Sequence, residues 1–248
     1  MRISALIITK DEERNIADCL ASLPFADEII VVDSGSTDRT EEICRSDPRV
    51  RWFLEPWKGF GPQKNSALDK SEAEWVFSID ADERASPELA REIASLDLAA
   101  SGTKGYRVPR RSYFGDRWVR HGGWYPDYTI RLWRREAGRF VDRSVHEVVR
   151  VGGRTGILRG DLIHRTYRDT EDFLARMNRY STLGAAELRK EGVRCTGFDL
   201  LLRPPFTFFK MYVLRRGFRD GALGFRLAVL YAMYTFAKYA KLGEGDGR

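Results

Sequence analysis

The chain has 248 residues, 43% hydrophobic and 12% aromatic, which is enough apolar side chain for a packed core and excludes wholesale disorder. Its formal net charge of +6 averages two unlike regions: residues 1–100 carry net −9 and residues 101–248 net +15. Three widely spaced cysteines (Cys19, Cys44 and Cys195) exclude a disulfide framework and a zinc pattern, and no uncharged apolar stretch reaches the roughly 18 residues of a spanning helix.

In chain order, the apolar run from Ile3 to Ile8 reads as a buried strand, and its early start leaves no room for a signal peptide. Ile16, Leu20 and Leu23 have helical spacing, and Pro24 stops that helix. Residues 28–32 form a second strand. Asp38 with Glu41 is the pattern of a capping box opening a short helix. A third strand is expected over 50–54, then a Gly/Pro turn at 59–62 and a helix to about Leu68. Residues 75–79 form a fourth strand, and Ser86-Pro87 opens a helix to about Leu96. Strand and helix alternating through short links predict a parallel α/β sheet, whose ligands bind at the carboxyl ends of its strands. Beyond Gly105, short strand-like pieces at 106–109, 129–133 and 145–151 are read as antiparallel strands completing a mixed sheet. A long helix is expected from Thr170 or Asp172 to Lys190.

Two expected strands run into carboxylates. Asp80 and Asp82 fall on one side of the chain if it stays extended, where two hard oxygen donors suit Mg²⁺ or Mn²⁺ carrying a diphosphate. The competing reading is a solvated turn before Ser86. Asp33 is a candidate acceptor for a uracil imide or a ribose hydroxyl, against the plainer role of a turn residue. Asp38 is read as a helix cap. Lys64 is read either as a balance for diphosphate charge or as a surface lysine.

The segments Ile7-Ile8-Thr9-Lys10-Asp11-Glu12-Glu13, Val31-Val32-Asp33-Ser34-Gly35-Ser36-Thr37-Asp38, Gln63-Lys64-Asn65 and Ser78-Ile79-Asp80-Ala81-Asp82-Glu83 together resemble the family-2 glycosyltransferases. Trp57-Lys58-Gly59-Phe60-Gly61, Tyr125-Pro126-Asp127-Tyr128, Val145-His146-Glu147 and the basic aromatic tail resemble the bacterial branch containing lipopolysaccharide-core glucosyltransferases. The resemblance implies a GT-A fold, a nucleotide-sugar donor (a UDP-sugar by default), a divalent metal and inversion at the anomeric carbon. Carried over, Thr9, Glu12 and Asp33 line the nucleotide pocket, and Asp80 and Asp82 form the metal and diphosphate site.

An inverting transfer needs a carboxylate to take the acceptor hydroxyl proton. Asp127, after the aromatic Trp124-Tyr125-Pro126, is favoured over Glu147; the Glu-Asp pair common in the wider family is missing after Asp82. His164 is a candidate third metal ligand, with a structural or diphosphate-donating role as the alternative. His121 is read as a loop residue. Arg131 and Arg134 are read as phosphate holders or, more commonly for such alternation, as the solvated face of a strand.

Residues 203–242 interleave basic and aromatic side chains, as a helix in an anionic membrane interface requires; packing on the catalytic domain or on a second subunit is the plainer alternative. The expected organisation is a catalytic domain over 1–197 (a donor half 1–100 and an acceptor half 101–197) with an amphipathic helical extension over 198–248. The expected enzyme transfers a hexose, by default glucose, to a membrane-held glycolipid or lipopolysaccharide-core acceptor on the inner face of the cytoplasmic membrane. A homo-oligomer is left open. A sugar nucleotidylyltransferase would want a basic, glycine-rich loop where this chain has Lys10-Asp11-Glu12-Glu13, and a nucleic-acid partner is disfavoured by the acidic first hundred residues.

Overall fold

A computed structural model of the chain describes residues 1–100, 102–141 and 148–244. The chain divides into two compact units, one made of residues 1–110 and 127–164 and the other of residues 111–126 and 165–248.

The first unit opens with β1 (Ile3–Thr9), α1 (Ile16–Ala21), β2 (Glu28–Asp33), α2 (Thr40–Arg45), β3 (Val50–Leu54), α3 (Phe60–Lys70) and β4 (Trp75–Ser78). Then come β5 (Glu83–Ala85), α4 (Pro87–Ser95) and the long β6 (Gly105–Phe114), whose far end belongs to the second unit together with β7 (Arg117–Trp118). The chain continues through β8 (Asp127–Arg134), β9 (Gly138–Val141), β10 (Val148–Val151), β11 (Thr155–Ile157) and β12 (Leu162–Tyr167). The sheet order is β3-β2-β1-β4-β8-β6-β12-β5, with β11 beside β6 and β9 and β10 forming a separate ladder.

The β1, β2, β3 and β4 pairings are parallel, whereas β8 runs antiparallel to both β4 and β6. The sheet is therefore mixed, as expected. Strands buried on both faces are largely apolar, and β1 and β2 follow this at five of seven and four of six positions. Ile3, Ala5, Ile7, Ile29 and Val31 feed the core on one face, and Leu6, Ile30 and Val32 feed the other. The α1 side chains Ile16, Cys19 and Leu20 close the first face. Ser86 caps α4 by accepting from the Leu89 N–H at 3.1 Å, a contact of about 1 kcal/mol that fixes the helix start.

The second unit holds α5 (Thr170–Lys190), α6 (Gly197–Leu201), α7 (Arg203–Phe209) and α8 (Ala222–Glu244); α5 and α8 pack with Phe114 and Val119 through Phe173, Leu223, Leu227 and Leu230, and Leu200 of α6 packs on Ala185, Tyr239 and Leu242. Trp124 packs edge-on against Tyr167 and Tyr231, so this ring belongs to the core of the unit rather than to a platform for sugar stacking. The Lys241 ammonium of α8 sits among Asn178 O and Oδ1, Ser181 Oγ and Thr182 Oγ1 of α5, each at 2.7–2.9 Å. Gly224 lets α8 cross the Gly217 turn: a Cβ there would lie 1.8 Å from the Gly217 carbonyl oxygen. α8 thus supplies Leu223, Leu227 and Leu230 to the core of this unit.

Candidate active site

The carboxyl ends of β1, β2 and β4 meet in one region because these strands are neighbours and parallel. Asp33 ends β2 opposite Thr9, the last residue of β1. It is 1% exposed, and its carboxylate folds its own loop: Oδ1 accepts the Gly35 and Ser36 N–H groups at 2.8 and 2.7 Å, and Oδ2 accepts the Ser36 hydroxyl. The turn role read beside the ligand role is thus the one these contacts fill. Thr9 is buried, and its hydroxyl has no hydrogen-bond partner among the described residues.

The loop after β1 is laced to the loop after β2. Asp11, in the left-handed region at φ 53°, accepts the Thr37 N–H at 2.7 Å and donates its own N–H to Ser36 Oγ at 2.8 Å. Glu12 donates its N–H to Thr40 Oγ1 and accepts from Asn15 Nδ2 at 2.7 Å. The expected capping box at Asp38 is not formed. α2 starts at Thr40, and Asp38 instead accepts the Thr40 N–H through Oδ1 and the Glu13 N–H through Oδ2. Asp38 therefore ties the two loops together and orders the helix entrance at once.

Asp80 and Asp82 do not lie along an extended strand. β4 ends at Ser78, the chain turns so that Glu83 N–H reaches Asp80 O at 2.9 Å, and the two carboxylates take different partners. Asp80 Oδ1 is 2.7 Å from Lys64 Nζ and Oδ2 is 3.6 Å from Arg131. Asp82 Oδ2 is 3.4 Å from His164 Nε2, long for a hydrogen bond. β12 puts His164 there by pairing it with Glu83 of β5.

Behind these groups runs a chain of alternating charge. Lys64 is buried on α3 against Asp80. Arg131 of β8 is 6% exposed and donates to Glu83 Oε1 at 2.7 Å, so the expected solvated face of a strand is wrong for this residue. Glu83 is fully buried, and its other oxygen accepts the Asp80 N–H at 3.0 Å. Arg110 of β6 lies 3.9 Å from Glu83 and donates through Nε and Nη2 to one oxygen of Asp127, at 3.1 and 2.5 Å. Burial alone would raise the Asp80 carboxyl, but Lys64 and Arg131 override it and hold the group well below the usual carboxylate range. Glu83 goes the other way: burial raises it and Asp80 adds to the rise, against Arg131.

The structure thus brings together Lys64, Asp80, Asp82, Asp127 and His164, and it adds Glu83, Arg110 and Arg131. Glu147 lies outside the described residues. Glu83 was visible as the last residue of the Asp-Ala-Asp-Glu run, whereas Arg110 is recruited by its cross-strand pairing with Asp127, which no local pattern announces. Among the described residues no three His, Cys, Asp or Glu side chains form a ready-made metal cluster. Asp82 Oδ2 and His164 Nε2 nevertheless place one oxygen and one imidazole nitrogen 3.4 Å apart. That donor pair suits an ion that completes its shell with diphosphate and water oxygens.

Residues 4–162 match the glycosyl transferase family 2. The chain belongs to this family. Along its whole length the transferase is 34% identical to the lipopolysaccharide core biosynthesis glycosyltransferase LpsC of Rhizobium meliloti, covering 97% of this chain and 91% of LpsC. Its fold is the GT-A fold. It resembles the Pyrobaculum calidifontis mannosyltransferase PcManGT, solved with GDP-Man and Mn²⁺, at TM-score 0.59 and 15% identity over 100% of this chain and 88% of that one. It also resembles S. aureus TarS in complex with UDP, at TM-score 0.51 and 17% identity over 99% and 91%.

Proposed function

We propose that this glycosyltransferase is an inverting, divalent-metal-dependent enzyme that moves a hexose, by default glucose from a UDP-sugar, onto a membrane-held glycolipid of the lipopolysaccharide core. The observation that carries the reading is the pairing of Asp82 with His164 beside the Lys64–Asp80–Arg131 cluster at the carboxyl ends of the parallel strands. The likeness to LpsC supports the acceptor class, and the metal- and nucleotide-bound relatives of the fold support the donor chemistry.

In this reading Thr9, Glu12 and Asp33 shape the loops that receive the nucleotide, Asp33 by folding the turn over residues 34–36. Asp82 and His164 would hold the metal, with the Asp80 carboxylate between Lys64 and Arg131 beside it. A Mg²⁺ or Mn²⁺ held there would supply positive charge against the departing diphosphate. The acceptor hydroxyl oxygen bonds to the anomeric carbon as the bond from that carbon to the diphosphate oxygen breaks, and the hydroxyl proton passes to Asp127. Arg110 holds one Asp127 oxygen, and the other has no hydrogen-bond partner among the described residues, so it is placed to accept. Glu147 is the alternative base.

A membrane-held acceptor is supported by the second unit. Phe198, Leu201, Leu202, Phe206, Leu214 and Phe218 are each at least half exposed, and Arg203, Arg215, Arg216 and Arg219 lie among them in the chain. Apolar side chains flanked by cations are the composition of an interfacial anchor. No helix among the described residues is long and apolar enough to cross a membrane.

The test is a thermal-shift series with UDP-, GDP-, dTDP- and ADP-sugars in Mn²⁺ and in EDTA. One nucleotide is expected to stabilise the protein only with metal, and D82N and H164A are expected to abolish that stabilisation. D127N should keep it and lose transfer by about 10²–10⁴-fold, the range for a missing general base. Metal-independent donor binding in the unsubstituted protein would overturn the metal assignment.

A further inference from the structure

The second unit carries a groove of about 490 Å³ lined by Arg117, Trp118, Arg120, Arg219, Asp220 and Gly221. Three arginines line one concavity there. None of the three makes an ion pair with a carboxylate among the described residues. Like charges held together in this way repel one another unless an anion is shared between them.

The groove is built rather than incidental. Asp220 is the one acid in its lining, and its side chain is 8% exposed and turned away into the fold. Its Oδ2 accepts the Arg120 and His121 N–H groups at 3.1 and 2.8 Å, and its Oδ1 lies 2.8 Å from His121 Nδ1. Its main-chain oxygen accepts Arg117 Nη2 at 3.3 Å. One carboxylate thus clamps residues 117–121 to the turn at 217–221 and spends its charge inside the clamp. Trp118 supports the cations: the Arg120 and Arg111 guanidiniums lie 4.4 and 4.5 Å from its ring centroid. Tyr125 meets the same ring edge-on. Stacking pre-orients a guanidinium, so less side-chain freedom is lost when it binds an oxyanion.

We propose that the Arg117–Arg120–Arg219 groove is a binding site for a phosphomonoester. Forked arginine donors match tetrahedral phosphate oxygens, and the volume admits the sugar or glycerol that carries the phosphate. The group could arrive as a phosphorylated sugar of the acceptor or as the headgroup of an anionic lipid; the recognition chemistry is shared. The site deepens the acceptor side of the function proposed above, and it rests on that reading only for the phosphate's role in transfer.

The experiment is isothermal titration of the full chain with glucose 6-phosphate, inorganic phosphate and glucose. A parallel arm uses flotation on phosphatidylcholine vesicles with and without phosphatidic acid. Each is repeated for R120A/R219A and R120K/R219K. Phosphate-bearing probes should bind and glucose should not. The alanine pair should weaken binding at least tenfold, and the lysine pair should recover part of it by restoring charge without the fork. Substitution-sensitive binding of glucose 6-phosphate points to the sugar source, and substitution-sensitive binding of the acidic vesicles alone points to the lipid source. Phosphate bound equally by R120A/R219A and the parent protein would sit elsewhere and overturn the proposal, as would no binding in either arm. Metal-dependent stabilisation by the donor nucleotide should be unchanged in both variants, so failure of the donor reading and failure of this one show up separately.

Discussion

The Glu83–Arg131 pair is where stability and chemistry are joined, and it makes the sharpest prediction. Both side chains are under 10% exposed and share a 2.7 Å contact, while Glu83 also holds the Asp80 N–H. R131M removes the cation and leaves Glu83 buried with only Arg110 at 3.9 Å. Breaking a buried pair from one side costs about 3–5 kcal/mol, because the desolvated partner loses its compensation. At roughly 2–4 °C per kcal/mol for a chain of this size, the midpoint of the first unit should fall by about 6–20 °C. E83Q removes the charge but keeps an amide that can still meet Arg131, so its cost should be smaller. The double variant E83Q/R131M should be less destabilised than the two singles summed, by roughly 1–3 kcal/mol, the coupling of residues in one network. Urea unfolding followed by far-UV circular dichroism, with calorimetry for the midpoints, measures the cycle. A midpoint for R131M within 2 °C of the parent, or strict additivity in the double variant, would refute the reasoning.

Two further outcomes follow from local geometry. A Cβ at Gly160 would lie 2.3 Å from Leu89 Cα and 2.4 Å from Leu89 N, both backbone atoms of α4. G160A should therefore lose about 1–3 kcal/mol by overpacking, and an unchanged calorimetric midpoint would show that the α4 approach is not as close as described. Glu55 is held down at about 2, mainly by its hydrogen bond from Lys70, with Ser66 and Lys58 helping and burial opposing. Its folded value lies below its unfolded one, so its contribution is fully present above about pH 4.5 and disappears as pH falls toward 2. The stability difference between the parent and E55Q should be flat above pH 5 and shrink on acidification; a difference that grows below pH 4 would contradict the sign.

The parallel half of the sheet was legible because its strands are buried on both faces. The apolar runs at 5–8 and 29–32 have few other solutions. β5 was not legible: three residues, Glu83 to Ala85, carry two charges and become a strand only because β12 pairs with them. The same holds for the site. The residue types at the strand ends were readable, but the turn after Ser78 was not, and alternation then assigned Asp80 and Asp82 to one point although their partners differ. Alternation with Leu132 leaves Arg131 open between a phosphate holder and the solvated face of a strand. Its burial comes from the sheet closing over that face and from Glu83 meeting it, a contact across 48 positions of sequence.

The charge around the donor site argues for the metal more directly than the donor pair does. Lys64, Arg131 and Arg110 supply three positive charges, and Asp80, Asp82 and Asp127 supply three negative ones. The buried Glu83 carboxyl beside Arg131 and Arg110 brings the acidic groups of the cluster to four against three cations. Such a cluster cannot attract a diphosphate or steady its departure, because every cation is already matched by a carboxylate. In the proposed reading, a divalent ion held by Asp82 and His164 would supply the missing charge. In the second unit Arg176 and Arg203 are matched by Asp172 and Asp199, whereas Arg117, Arg120 and Arg219 make no ion pair with a carboxylate among the described residues. Removing a carboxylate from the donor cluster should therefore weaken dependence on the metal and raise affinity for metal-free nucleotide diphosphate. D80N in EDTA is the case that tests this balance: it should bind UDP more tightly than the parent protein does in EDTA, and equal or weaker binding would place the charge requirement elsewhere.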